Sequence, residues 1–299
     1  MYTQEDISEL LREVRKIEVL TRGLVRERLG GEYHSSFKGQ GIDFDDLRAY
    51  QPGDEVRAID WNTTARLGET FIKKFVEERE LSVFLAIDVS ASGDYGSLDH
   101  SKRRLAATIA AVFAFSALQN QDKVGLILFS DEVELFLPPK KGSPHVLRLI
   151  REILFCQPRG KRTDPAAAFD LLVKNVKRRS LVFTISDFIC DHFKDKVQAA
   201  SVKHDIVAVQ IVDPAEVELP RAGRLRMEDP ETGEQYTVNT NSESVRSDYF
   251  KKRAKWQLGL DEDLRKLGID KVEISTDPDA SYLPAIHALF KKREARRTA

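Results

Sequence analysis

The eight residues Leu81-Ser-Val-Phe-Leu-Ala-Ile-Asp88 constrain this chain more than any other stretch. They form a nearly continuous apolar run of strand length, and such a run belongs to a strand covered on both faces. Its last residue is an aspartate, so a carboxylate stands where the buried strand ends. Cover for both faces lies downstream. Apolar runs recur at Val124 to Phe129, Leu181 to Ile185 and Ile206 to Val212, with helical spacing near 144–154, 165–177 and 191–202. From Leu98 to Leu118, the residues Leu105, Ile109, Val112, Phe113 and Phe115 sit among alanines, which predicts a helix apolar almost all round and deeply buried. Strand and helix in alternation predict an α/β fold, a doubly wound, mostly parallel sheet with helices on both faces. A short hairpin is expected near Val133 to Leu137.

The flanks follow other patterns. From Thr3 to about Arg28, apolar residues at helical spacing (Ile7, Leu10, Leu11, Val14, Ile17) predict an amphipathic helix whose polar face mixes both charge signs, which suits packing on the domain. Gly30 to Arg66 is dense in turn formers and charges, including Asp43, Arg48, Asp54, Arg57, Asp60 and Arg66. We expect these to fasten the segment as an ion-pair and turn network, with Trp61 as a packed anchor and Phe71 to Glu78 as an edge strand. The resulting division is 1–78 for the N-terminal helix and charged loop, packed on a main domain of 79–299. A hairpin insertion is expected near 222–238, where Asp229-Pro-Glu-Thr-Gly233 supplies turn chemistry. A helix to Leu267, a strand at Ile269 to Ile274 and a final helix from about Asp279 complete the chain.

Composition excludes several function classes. Of 299 residues, 41% are apolar and 32% charged, enough for a sizeable core. Lys and Arg total 47 against 48 Asp and Glu, a net charge of −1, so no global field favours nucleic acid or anionic lipid. The basic run Lys291 to Arg297 is expected to be a solvated helix end, favoured there by the helix dipole. Cys156 and Cys190 are too few and too isolated for a disulfide framework, and no segment approaches 18 consecutive apolar residues. The expectation is a cytoplasmic protein without a membrane span.

In open α/β sheets, ligands bind outside the carboxyl ends of the strands. Three polar groups fall there: Asp88-Val-Ser90-Ala-Ser92, Arg162-Thr163-Asp164 and Ile185-Ser186-Asp187. Each alone is ordinary, since Thr163 or Asp164 could simply cap the following helix. Together they offer hydroxyls from Ser90, Ser92 and Thr163 with carboxylates from Asp88 and Asp187, an oxygen surface suited to one hard cation. Two carboxylates balance one dication, which leaves the site able to accept a further carboxylate from a partner protein's Asp or Glu. Asp94, Arg162 and Asp164 are candidates for contacting that partner.

This constellation resembles the metal-ion-dependent adhesion site of von Willebrand factor A domains, with all five positions filled. Upstream, Gly39-Gln-Gly-Ile-Asp-Phe44, Leu47-Arg-Ala-Tyr-Gln-Pro-Gly-Asp54 and Arg57-Ala-Ile-Asp-Trp-Asn62 with Ala65-Arg66 resemble the bacterial domain of unknown function 58 family. The resemblance implies a von Willebrand factor A or Rossmann-like fold and Mg²⁺, or Mn²⁺ or Ca²⁺, as one bound ion. It further implies an adaptor or co-chaperone working beside a MoxR-type AAA+ ATPase. One departure is Gly93-Asp94 after the second serine, where many relatives carry methionine, which places one more carboxylate near the site. Enzyme motifs are missing: no Gly-x-Ser-x-Gly and no His-Glu-x-x-His occurs, and Gly160-Lys161 lacks the rest of a phosphate loop. The expected function is therefore non-enzymatic protein binding, the alternative being a metal-dependent hydrolase of phosphatase or peptidase class.

Overall fold

The computed structural model describes residues 4–25, 29, 33, 36–37, 43–51, 54, 59–76, 81–97, 101–190, 194–229 and 231–298. Met1–Ser36 and Ser82–Ala299 form one compact unit, and Phe37–Leu81 a second. The larger unit begins with α1 (Gln4–Leu24). Grouping by contacts thus joins α1 to the sheet, where the sequence division at 78 had joined it to the charged loop.

The smaller unit contains β1 (Asp43–Ala49), α2 (Trp61–Leu67) and β2 (Phe71–Val76). β2 pairs antiparallel with β1, with a register shift between Phe44 and Asp46. The expected edge strand therefore belongs to a separate ribbon, because a nearby antiparallel partner needs no crossover connection. Asp60 caps α2 by accepting the N–H groups of Asn62 and Thr63 at 3.0 and 3.1 Å, and Gly68 ends it with φ 77°. Arg48 pairs with Asp54 at 2.6 Å, and together with the Gln51 N–H at 2.8 Å it holds the Asp54 carboxyl below its ordinary range. The expected network is present in Arg48, Asp54 and Asp60, whereas the side chains of Asp43 and Arg57 lie outside the described residues. Trp61 is not a packed anchor. It is 65% exposed, since it opens a two-turn helix that buries none of its residues.

The larger unit continues from β3 (Ser82–Asp88) through a 3₁₀ turn at Ala91–Asp94 into α3 (Lys102–Gln119), β4 (Lys123–Phe129) and β5 (Val133–Lys140). Then follow α4 (Ser143–Phe155), α5 (Pro165–Asn175), β6 (Leu181–Ser186), α6 (Lys194–Lys203), β7 (Asp205–Val212) and α7 (Pro214–Val217). A hairpin of β8 (Arg224–Glu228) and β9 (Gln235–Asn239) precedes α8 (Glu243–Lys266), β10 (Asp270–Ser275) and α9 (Leu283–Thr298). Six strands form one sheet in the order β10-β7-β6-β3-β4-β5, parallel throughout except for the antiparallel edge β5. The mostly parallel α/β sheet expected from the sequence is thus observed. Numbered along the chain, this is the doubly wound order 3-2-1-4-5-6, which reverses direction between β3 and β6.

The two-residue period of β3 explains why it needs cover twice over. Phe84 and Ala86 join a core with Ala168, Phe169 and Leu172 of α5 and Val197 and Ala200 of α6. On the opposite face, Phe183 of β6 stacks on Phe113 of α3 at 3.9 Å between ring centroids, a pairing worth about 0.5–1.5 kcal/mol beyond burial. Gly125 in β4 is dictated by this packing, since a Cβ there would lie 2.8 Å from the Phe84 ring. α1 packs on α3 and α4 through buried Val14 and Ile17, and its Arg22 lies over the Phe115 ring. No helix among the described residues is long and apolar enough to cross a membrane. The C-terminal basic run stays largely exposed, as expected of a helix end, while Lys292, Arg293 and Arg296 pair with Asp270 at 3.1, 3.0 and 2.7 Å and Arg293 also with Asp205.

Candidate functional site

Asp88 ends β3 and Asp187 directly follows β6, the two adjacent strands between which the sheet order reverses. Neighbouring loops are tied together there. The Ala91 N–H donates to the Lys161 carbonyl at 3.1 Å, which joins the loop carrying Ser90 and Ser92 to the loop carrying Thr163. The second loop is pinned by Glu134 of β5, whose carboxylate accepts the Arg159 and Gly160 N–H groups at 2.9 Å each and the Ser130 hydroxyl at 2.6 Å. Gly160 must lack a side chain, because a Cβ would sit 1.7 Å from Asp131 Oδ1. The glycine of the pair that echoes a phosphate loop is explained by this close approach.

Four of the five expected residues are linked by hydrogen bonds, and Asp187 stands beside them on the neighbouring strand end. Ser90 Oγ lies 3.0 Å from Ser92 Oγ and accepts the Thr163 hydroxyl at 2.8 Å, so three hydroxyls from two loops form one cluster. Asp88 Oδ1 accepts the Ser90 N–H at 2.9 Å and Asp88 Oδ2 the Ser186 hydroxyl at 2.7 Å. Asp187 Oδ1 accepts the Ile189 N–H at 3.0 Å. Between Asp187 and Ile189, Phe188 adopts φ 58°, a left-handed conformation costing a residue with a side chain about 1–2 kcal/mol. It persists because the Phe188 ring is buried in the core and its N–H donates to Ser186 Oγ at 2.9 Å. Core packing thus holds the turn that aims Asp187.

Several functional residues were not found by sequence reasoning. Lys102, in the first turn of α3 and only 3% exposed, donates to Asp187 Oδ2 at 2.8 Å and to Glu216. Glu216 belongs to the capping box of α7, whose cap Asp213 is itself bonded by Ser97 and Thr276. Glu231, at the tip of the β8–β9 hairpin, is half-buried. Three cations, Lys102, Arg103 and Arg104, open α3 against the helix dipole, and that was the one legible sign of Lys102. Nothing local pointed to Glu216 or Glu231.

The electrostatics are unbalanced toward negative charge. Burial, followed by the charge of Asp187, raises Asp88 to about 6, with hydrogen bonds from Ser90 and Ser186 opposing the shift. Burial pulls the Lys102 ammonium down, but Asp187 and Glu216 outweigh it and hold its proton firmly. Burial raises Glu216 even so, against the pull of Lys102 and with the push of Asp187. Glu231 is raised by burial, with the charges of Asp187 and Asp229 adding to the shift. One ammonium is attracted by two acids and gains; Glu216 has only a share of that ammonium and does not.

The remaining expected residues sit outside this cluster. Asp94 is exposed and faces Arg103 at 3.1 Å, so its carboxylate is turned to a guanidinium. Arg162 is exposed. Asp164 caps α5 by accepting the Ala166 N–H at 2.8 Å, the structural alternative raised for it. Among the described residues, no three His, Cys, Asp or Glu side chains gather as a metal group. A cation here would rest largely on hydroxyls, and the donor set suits a hard dication: three clustered hydroxyl oxygens, two flanking carboxylates and a surplus of negative charge.

Comparison with known proteins gives a family and distant folds. The family described as "Protein of unknown function DUF58" matches residues 46–258. Uncharacterized protein Rv1480 of Mycobacterium tuberculosis is 28% identical over 279 residues, covering 92% of this chain and 87% of that protein. Among solved structures, the conserved hypothetical protein BatB from Bacteroides thetaiotaomicron is 16% identical with a TM-score of 0.45, covering 72% of this chain and 99% of that one. The VWA domain of SpRpn10 is 9% identical with a TM-score of 0.39, covering 72% of this chain and 95% of that one.

Proposed function

The chain belongs to the DUF58 family, and on that premise we propose that it is a non-enzymatic binding adaptor that engages a partner protein's Asp or Glu through a divalent cation. Asp88, Ser90, Ser92, Thr163 and Asp187 would hold the ion, with Mg²⁺ first and Mn²⁺ or Ca²⁺ as alternatives. The observation carrying this reading is the cluster of three hydroxyls, 2.8 and 3.0 Å apart, beside two carboxylates at the point where the strand order reverses. The cation would supply charge to bind an outside carboxylate. The chain's own residues do the rest: Glu134 and Gly160 shape the loop presenting Thr163, and Phe188 and Ser186 aim the acids. The partner class we assign, from the family resemblance, is a MoxR-type AAA+ ATPase.

The test is thermal unfolding with and without ion. At a free ion concentration ten times the dissociation constant, linkage gives about 1.4 kcal/mol of stabilisation. Mg²⁺ or Mn²⁺ is expected to raise the melting temperature of the wild type but not of Asp88→Ala; equal shifts in both would end the reading. Capture of the ATPase by the immobilised protein is expected to be lost with a chelator. Turnover of a phosphate ester or peptide by the wild type and not by Asp88→Ala would favour the hydrolase instead.

A further inference from the structure

The first turn of α3 divides its cations between two places. Lys102 turns to Asp187 and Glu216. Arg103 and Arg104 instead line a cavity of about 540 Å³, whose wall also takes in Ala91, Asp94, Cys156 and Lys161. Ala91 lies between Ser90 and Ser92, and Lys161 stands two residues before Thr163, so the cavity shares both loops with the hydroxyl cluster. Arg103 is the fixed part of the wall. It is only 9% exposed, and its two terminal nitrogens donate to the Cys156 carbonyl at 2.8 Å and the Val89 carbonyl at 3.0 Å. Its Nε–H makes no hydrogen bond, because Asp94 Oδ1, although 3.1 Å from Nε, stands off the line of that N–H. A buried donor left unspent is costly, and a better-placed acceptor would relieve it.

Charge on the wall is one-sided. Arg103, Arg104 and Lys161 meet a single acid among the lining residues, Asp94, whose side chain is 66% exposed. Both arginines stand at the N-terminal end of an 18-residue helix, where the dipole favours an anion. The backbone donors of the loops are already used: the Arg159 and Gly160 N–H groups go to Glu134 and the Ala91 N–H to the Lys161 carbonyl. Phosphate is ordinarily cradled by such backbone groups, whereas a carboxylate is well met by a guanidinium fork alone. The volume lies within the range of about 300–1,000 Å³ that takes a drug-sized ligand, enough for a short peptide segment, and Leu154 and Pro158 give it an apolar part.

We propose that this cavity binds an acidic peptide segment of a partner protein, with a carboxylate on Arg103, Arg104 and Lys161 in the place Asp94 now takes. No metal ion is needed, so the pocket goes beyond the proposed cation site and stands apart from it.

Binding of fluorescently labelled hexaglutamate to the full chain in EDTA, followed by anisotropy, tests it. Lys161→Gln and Arg104→Gln are each expected to weaken binding about three-fold and Asp94→Asn to tighten it about three-fold, the size of a partly exposed charge pair. Arg103 is left intact because it holds the Val89 and Cys156 carbonyls. Lys177→Gln with Arg178→Gln, which removes two exposed cations before β6, is expected to change nothing. Position is read separately: hexaglutamate is expected to slow iodoacetamide labelling of the half-buried Cys156 and to leave that of Cys190 as it was. Equal affinity in the wild type, Lys161→Gln and Arg104→Gln overturns the inference, as does binding that leaves Cys156 labelling unchanged. Protection of Cys156 by inorganic phosphate and not by hexaglutamate overturns the peptide assignment. Because EDTA is present throughout, failure here leaves the cation reading intact, and failure of the cation reading leaves this one.

Discussion

The two ends of the sheet hold their buried acids in opposite ways. At the amino-terminal ends of the strands, Asp270 opens β10 and Asp205 opens β7, and Lys292, Arg293 and Arg296 of α9 close over them. Cations there outnumber acids. At the carboxyl ends, the Lys102 ammonium is shared by Asp187 and Glu216, and the charge of Asp187 acts on the buried Asp88 as well. The first end is a finished ion-pair network and the second is short of positive charge. The difference separates a structural use of acids from one that leaves room for a cation.

Three substitutions break or sharpen that contrast. The largest effect is expected for Lys102→Met, which leaves Asp187 and Glu216 buried without a cation and should cost about 3–5 kcal/mol of unfolding free energy in urea. A cost near zero would mean the carboxyl-end acids were not relying on it. Asp270→Ala should cost about 1–3 kcal/mol, less because Arg293 keeps Asp205 and Arg296 reaches solvent, and it should leave the response to Mn²⁺ unaltered. A changed Mn²⁺ response would join the two ends that the contrast separates.

The smallest effect is expected for Glu216→Gln, within about 0.5 kcal/mol of the wild type near pH 4.5, because Lys102 retains Asp187. Its sign depends on pH. Glu216 is raised in the fold above its ordinary 4.5, so the wild type's advantage from holding that proton is complete below pH 4.5 and is lost as pH rises through the folded value. The variant should therefore gain on the wild type between denaturation at pH 4.5 and at pH 7. A variant that instead lost ground with rising pH would show that Lys102 more than repays the burial of Glu216.

Much of the site could be read from the chain because its residues sit at strand ends. Asp88 ends an unbroken apolar run, and Asp187 follows another at Leu181 to Ile185, so position along the strand sufficed. Ser90, Ser92 and Thr163 followed from spacing to those ends and from the resemblance. Lys102 left only the sign of a cation at a helix start and Glu216 left none, since Lys102 acquires its role from Asp187 and Glu216 from Lys102, all distant along the chain. Trp61 was misjudged for a related reason: an indole in a charged segment was expected to find cover, and α2 provides none. The edge-strand assignment of Phe71 to Glu78 failed because apolar content does not say which sheet a strand joins.

The alternation of strands and helices, the covered central strand, and the stretches that bring hydroxyls and carboxylates to strand ends are all written in the order of residues along the chain. Those properties follow from local periodicity, which repeats every two or 3.6 residues and needs no partner to be seen. How charge is distributed among those groups follows from the packed fold: one ammonium shared by Asp187 and Glu216, and three cations on Asp270. Electrostatic interaction acts between groups brought close in space, and closeness in space is set by packing, not by order along the chain.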